Sequence, residues 1–129
     1  MAEKVPEKRA PRILLAEDEV LVAGDIERML IELGCEVVGP VATLAETRRL
    51  AASEPLDGAV LDVNLRGVRV FDALQALRAR DVPVILSSGY SNSAVFPEEF
   101  RDLPVLVKPY GPKELAALLR TAFGLPDPI

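Results

Sequence analysis

Residues 59–65 read Ala-Val-Leu-Asp-Val-Asn-Leu, an apolar run that carries a single carboxylate, Asp62. Few folds accept that combination. A short apolar run bounded by turn residues, here Pro55, Gly58 and Gly67, predicts a buried strand of a parallel sheet over Gly58 to Asp62. Asp62 then stands at the strand's C-terminal end, where open α/β sheets open onto their binding crevice. A carboxylate there is costly unless it caps a helix, closes a turn, or meets a cation or strong donor. What the other strands end in bears on the choice.

The rest of the chain alternates around that strand. Arg12 to Ala16 predicts a first strand, ending in Glu17-Asp18-Glu19. Val22, Ile26, Met29, Leu30 and Leu33 then recur at helical spacing, and Gly34 is the natural stop. Glu36 to Val41 predicts a second strand, placed at or near a sheet edge because Gly39-Pro40 interrupts it. Thr43 and Glu46 form a capping-box pair for a helix carrying Leu44, Thr47, Leu50 and Ala51, which ends before Pro55. Val70, Leu74 and Leu77 mark a third helix, roughly Val68 to Arg80. Pro83 to Ser87 predicts a fourth strand, closing on Ser88-Gly89-Tyr90.

Ser91 to Arg101 has the weakest pattern and is expected to hold only a short or mobile helix. Pro104 to Val107 predicts a fifth strand, followed by Lys108-Pro109-Tyr110. Gly111-Pro112 opens a last helix with Leu115, Leu118, Leu119 and Ala122 inward, stopped by Gly124. Five alternations of strand and helix predict an α/β fold. It is a flavodoxin-like, doubly wound sheet of five parallel strands in order 2-1-3-4-5, three layers thick, with helices on both faces. Residues 1–11 are expected to be a flexible arm, 12–123 the domain, and 124–129 a tail.

Composition narrows the function. The chain has 129 residues, half of them hydrophobic, enough for a real core. A net charge of −5 argues against nucleic-acid or anionic-membrane binding. No apolar run approaches the length of a membrane span. The N-terminus lacks an apolar signal region, and the lone Cys35 suits packing in a reducing compartment, so a cytoplasmic location is expected. Histidine is absent, which removes His-based acid–base chemistry and His metal sites.

Strand one ends in Glu17 and Asp18, strand three in Asp62, strand four in Ser88, and strand five in Lys108. Parallel strands end on one side, so these groups are expected to converge. Three ionised carboxylates repel one another; a divalent cation together with Lys108 balances them. Oxygen donors without His or Cys suit Mg²⁺ or Mn²⁺. Asp18 and Asp62 are the expected direct ligands, with Glu17 acting through water and the backbone carbonyl of Asn64 as a further oxygen. Such a site suits attack of a carboxylate oxygen on a phosphoryl group, with the cation and the ammonium neutralising the equatorial oxygens and Ser88 donating a hydrogen bond.

Four stretches carry a family resemblance: Ile-Leu-Leu-Ala-Glu-Asp-Glu, Leu-Asp-Val-Asn-Leu-Arg-Gly, Pro-Val-Ile-Leu-Ser-Ser-Gly-Tyr and Val-Leu-Val-Lys-Pro-Tyr. In this order and spacing they resemble the receiver domain of two-component response regulators. The resemblance spans nearly all of residues 12–123. It implies that Asp62 is the phosphoacceptor, Glu17 and Asp18 the acidic pair, Ser88 the switch hydroxyl and Lys108 the phosphate-contacting lysine. It also implies Mg²⁺-dependent self-catalysed phosphorylation of Asp62. The Ser-Gly-Tyr and Lys-Pro-Tyr stretches look like the subgroup nicknamed FAT GUY. Val105 stands where receivers commonly carry a switch aromatic, and Tyr90 is a candidate replacement; covering the crevice is the other reading of Tyr90.

The implied partners are a histidine kinase or histidine phosphotransfer protein, since the donor histidine comes from outside, and a downstream protein reached by direct contact. The region of residues 91–101, strand five and the last helix is the family's usual dimer or target surface. A phosphate sink or shuttle and an unphosphorylated interaction module are the alternative roles. A flavodoxin-type nucleotide binder is disfavoured because Glu17-Asp18-Glu19 would repel phosphate. An aspartate-nucleophile phosphatase is disfavoured because Asn64 stands where its acid would be. Glu17 and Asp18 as helix caps, Ser88 as a turn residue, and Ser87 as the switch hydroxyl are the local alternatives.

Overall fold

The computed structural model describes residues 10–89 and 96–124. Its strands and helices follow in the order β1 (Arg12–Ala16), α1 (Val20–Glu32), β2 (Glu36–Val41), α2 (Leu44–Ser53), β3 (Gly58–Asp62), β4 (Asn64–Leu65), β5 (Val68–Arg69), α3 (Phe71–Ala79), β6 (Val84–Ser88), β7 (Val105–Val107) and α4 (Pro112–Phe123). The main sheet is parallel in the order β2-β1-β3-β6-β7. Since β6 and β7 are its fourth and fifth strands, this is the flavodoxin-like order expected from the alternation.

Period-two side-chain alternation explains the layers. Leu14, Ala16, Ala59, Leu61 and Leu86 point to one face and pack with Leu50, Ala51, Leu74 and Leu77 of α2 and α3. Ile13, Leu15, Val60, Ile85 and Leu106 point to the other and pack with Ile26, Leu30, Leu115 and Leu119 of α1 and α4. Each Leu or Ile so buried stabilises the fold by about 1.5–3 kcal/mol. β3 is buried along its whole length, as its unbroken apolar run requires. β2, which contains Gly39-Pro40, lies at an edge.

The helix ends follow the expected chemistry. Thr43 Oγ1 accepts the Glu46 N–H at 3.2 Å, and the Glu46 carboxylate reaches back to Thr43 Oγ1. At α4, the Gly111 N–H donates to Glu114 Oε1 at 3.0 Å, and Gly124 ends the helix with φ 68°.

One element departs from expectation. The third helix starts at Phe71, not Val68, because residues 64–69 form an antiparallel hairpin, β4 pairing Asn64 with Arg69 and Leu65 with Val68. Arg66 and Gly67 take φ 52° and 83° at its two-residue turn, the backbone that primed hairpin turns need. The turn residues break the helical pattern, and Val68 is spent on the ladder.

The segment expected to be short or mobile is divided. Its residues 91–95, with Tyr90, lie outside the described residues. From Phe96 onward it is anchored: Phe96 and Phe100 are buried, and Glu98–Phe100 forms a 3₁₀ turn. Phe71 stacks on Phe100 with ring centroids 5.8 Å apart, and Arg78 lies over the Phe100 ring at 4.9 Å.

Candidate functional site

The C-terminal ends of β1, β3, β6 and β7 share one edge of the sheet, and the loops leaving them wall a crevice of about 460 Å³. Asp18, Asp62, Asn64, Ser88 and Lys108 line it. Glu17 lies beneath, its side chain only 1% exposed. A carboxylate oxygen from each of Glu17, Asp18 and Asp62 lies within 4.8 Å of the others.

Lys108 is the counter-charge. Its Nζ stands 2.9 Å from Glu17 Oε1 and 3.0 Å from Asp62 Oδ2. The backbone fixes where that ammonium can reach, because the Lys108 N–H donates to the Ser88 carbonyl at 2.8 Å. Each of the three acids is also held by a main-chain donor: Glu17 Oε2 accepts from Glu19 at 3.1 Å, Asp62 Oδ1 from Asn64 at 3.3 Å, and Asp18 Oδ2 from Arg66 at 2.8 Å. The capping alternative for the acidic pair thus reaches only one Glu17 oxygen, on the amide of Glu19, the residue that precedes α1.

Burial pushes the Glu17 carboxyl up to about 7 from 4.5; Asp62 adds to this and Lys108 and the Glu19 amide oppose it. Burial pulls Lys108 down, but its ion pairs with Glu17 and Asp62 outweigh this and leave it above its ordinary value. The first shift reflects burial of an acid beside another acid, and the second an ammonium held by two carboxylates.

The donor set suits a hard divalent cation. Glu17 Oε1 is fully buried, and its contact with Lys108 is an ion pair with no well-aligned hydrogen bond. Three carboxylates crowded round one ammonium leave a net negative hollow, which a cation with a preference for oxygen ligands would fill.

The two serines of β6 point to opposite faces. Ser88 lines the crevice; Ser87, whose Cα pairs in register with Asp62, turns to the α1–α4 side, where its Oγ lies 3.4 Å from the Tyr110 hydroxyl. The alternation therefore puts Ser88, not Ser87, beside the acids. Val105 sits on β7 against the core on the α2–α3 side, so strand five carries no aromatic there.

Two contacts had no counterpart in the sequence reading. The hairpin turn that gives Asp18 its amide was signalled by Arg66-Gly67 between two strand-like pairs. The Tyr110–Ser87 contact had no local signal, since it joins strand β6 to the loop after another strand, β7.

The profile of the response regulator receiver domain matches residues 13–120. The chain is 31% identical over 116 residues to the phyllosphere-induced regulator PhyR of Methylorubrum extorquens, covering 88% of this chain and 43% of that protein. It is 30% identical to the transcriptional regulatory protein PdtaR of Mycobacterium tuberculosis, covering 86% of this chain and 56% of that one. The chain thus spans about half the length of these curated relatives. Among solved structures, SdrG from Sphingomonas melonis is 37% identical with a TM-score of 0.76, over 88% of this chain and 96% of that one. The receiver domain of the sensor histidine kinase PA1611 from Pseudomonas aeruginosa, whose active-site cleft coordinates a magnesium ion, is 27% identical with a TM-score of 0.77, over 90% and 99%. The chain belongs to the response regulator receiver domain family of two-component signalling.

Proposed function

We propose that Asp62 accepts a phosphoryl group from a phosphohistidine of a partner histidine kinase or histidine phosphotransfer protein, and that the aspartyl phosphate carries the signal by protein contact. The observation that supports this most is the placement of Lys108 Nζ between Glu17 and Asp62, with Asp18 within reach of both. One Asp62 oxygen attacks phosphorus, the phosphorus–nitrogen bond breaks, and the imidazole leaves with its electron pair. The chain contains no histidine, so the donor is another molecule.

Glu17, Asp18, Asp62 and the Asn64 carbonyl are the residues that would hold Mg²⁺ or Mn²⁺. When bound, the cation neutralises charge on the phosphoryl oxygens. Lys108 holds Asp62 and offers its ammonium to a phosphoryl oxygen, and Ser88, at the end of the neighbouring strand, donates a hydrogen bond to another. Asn64 and Glu19 N–H groups keep the two carboxylates turned as attack requires. Tyr90, as a replacement for the strand-five aromatic, completes the proposed switch with Ser88.

The surface beside the acidic pair is the proposed docking face for that partner. Val20 and Leu21, at the start of α1 beside the acidic pair, are 83% and 84% exposed. A groove of about 620 Å³ lies between α1 and the 108–112 loop, with Val22, Ile26 and Met29 on one wall. Its rim carries Glu19, Glu32 and an Asp25–Arg28 ion pair at 2.6 Å, with Lys108 at the crevice end, so the acidic excess favours a partner surface of opposite sign.

The test is labelling with a small acyl-phosphate donor. Wild type is expected to gain an acid-stable, hydroxylamine-labile phosphate only with Mg²⁺, and Asp62→Asn to gain none. Undiminished labelling of Asp62→Asn rejects the assignment.

A further inference from the structure

Ser87 and Tyr110 form a hydroxyl pair just behind the acceptor. Ser87 is 1% exposed and its Oγ lies 3.4 Å from Tyr110 Oη. A core needing only volume here would be filled by alanine and phenylalanine, with no polar group to satisfy. The pair therefore adds a constraint of position that packing does not require.

Its location says what is positioned. The Ser87 carbonyl accepts the N–H of Val63, next to Asp62, at 3.1 Å. Tyr110 is two residues beyond Lys108, and its ring packs with the α1–α4 core. The Lys108 N–H is bonded to β6, while Pro109 has no N–H to offer. Among the described residues, the Tyr110 hydroxyl is the next hydrogen bond that returns this loop to the strand. A lysine side chain is flexible, so where its ammonium rests depends on how firmly its backbone is held.

We propose that Tyr110 is a positioning residue for the phosphoryl-accepting site: through Ser87 its hydroxyl clamps the 108–110 loop to β6 and holds Lys108 Nζ between Glu17 and Asp62. This rests on the proposed acceptor role of Asp62 and names the device that sets its counter-charge.

The test compares wild type, Tyr110→Phe, Ser87→Ala and the double variant. Labelling by acetyl phosphate is timed, Mg²⁺ affinity is read by amide NMR titration, and folding is checked by thermal melting. Each single variant is expected to label about three- to tenfold more slowly, the range of one lost hydrogen bond. The double variant is expected to be no slower than the slower single, since both remove one contact. Mg²⁺ is expected to bind Tyr110→Phe about twofold or more tightly, because a loosened ammonium competes less for the carboxylates.

Slower labelling with tighter Mg²⁺ binding is a split that general loosening would not produce. Unchanged rates and affinity in Tyr110→Phe overturn the proposal, as do parallel losses of both, or multiplicative slowing in the double variant. If wild type takes no label, the acceptor role of Asp62 falls, and the Mg²⁺ affinities alone still decide whether Tyr110 sets the ammonium.

Discussion

The Arg66 N–H donates to Asp18 Oδ2 at 2.8 Å across 48 residues of sequence. The hairpin that follows β3 thereby reaches over to the acidic pair that follows β1. One Asp18 oxygen is thus oriented by main chain without help from a cation.

The turn that makes this possible depends on Gly67, at φ 83° with open space around it. Gly67→Ala is expected to cost about 1 kcal/mol through backbone strain alone. Because the Arg66 amide moves with the turn, Mg²⁺ affinity is expected to fall with it. Thermal melting and a magnesium titration check the two effects. A Gly67→Ala protein with wild-type affinity would disconnect the hairpin from Asp18.

Lys108→Met removes the ammonium paired with Glu17 and Asp62. Labelling is expected to drop about 100-fold, in the range seen when a preorganised transition-state donor is deleted. Mg²⁺ binding is expected to tighten, since the competing charge is gone. Weaker binding of the ion to Lys108→Met would contradict this account.

Glu17 gives a pH dependence of defined sign. Its carboxyl is raised from 4.5 to about 7, chiefly by burial. Between those values the folded protein keeps a proton that the unfolded chain releases. This group therefore favours folding most below 4.5, and the contribution is lost as pH rises to about 7. Melting of metal-free protein in chelator is expected to decline across that window, and less steeply in Glu17→Gln. Mg²⁺ needs the ionised acid, so its affinity is expected to climb over the same range with proton release, measurable by calorimetry in buffers of different ionisation heat. A metal-free midpoint that falls equally in both proteins would remove Glu17 as the cause.

Gly58, at the start of β3, is covered by the last aromatic of α4: a Cβ there would lie 2.5 Å from the Phe123 ring. Gly58→Ala is expected to destabilise by about 1–3 kcal/mol through overpacking. Phe123→Leu in the same chain is expected to recover part of this, read by denaturant melts. Additive losses in the double variant would show that the clash is not the origin.

Phe100 holds the stretch before β7 to α3 through Phe71 and Arg78. Phe100→Ala is expected to cost about 3 kcal/mol and to speed amide exchange at residues 96–103. Unchanged exchange there would mean that the ring does not anchor the segment.

Most of the architecture was legible because the two kinds of pattern are distinct. The unbroken run around Val60 and Leu61 has no reading as a half-exposed helix, and Val22, Ile26, Met29 and Leu30 have none as a strand. The convergence of Glu17, Asp18, Asp62, Ser88 and Lys108 followed from one rule, that parallel strands end together. The hairpin was missed because Val70 fits helical spacing with Leu74 and Leu77 and the helix was extended back from it to Val68, while positive φ at Arg66 is a property no apolar count registers. The Tyr110–Ser87 contact was missed for a different reason. It depends on the register of β6 against β3 and on how far the loop after β7 folds back, and both are settled only by the assembled core. The Ser87–Ser88 choice lay between: two-residue alternation decides it once the face of Leu86 is known.

The groups at the crevice come from segments far apart in the chain, Asp62 and Lys108 being 46 positions apart and Asp18 and Arg66 48. A half-made or slipped sheet has the same acids and the same amine yet cannot bring them face to face. Competence to receive a message is therefore a certificate that folding has finished, issued by the same strands whose pairing it certifies.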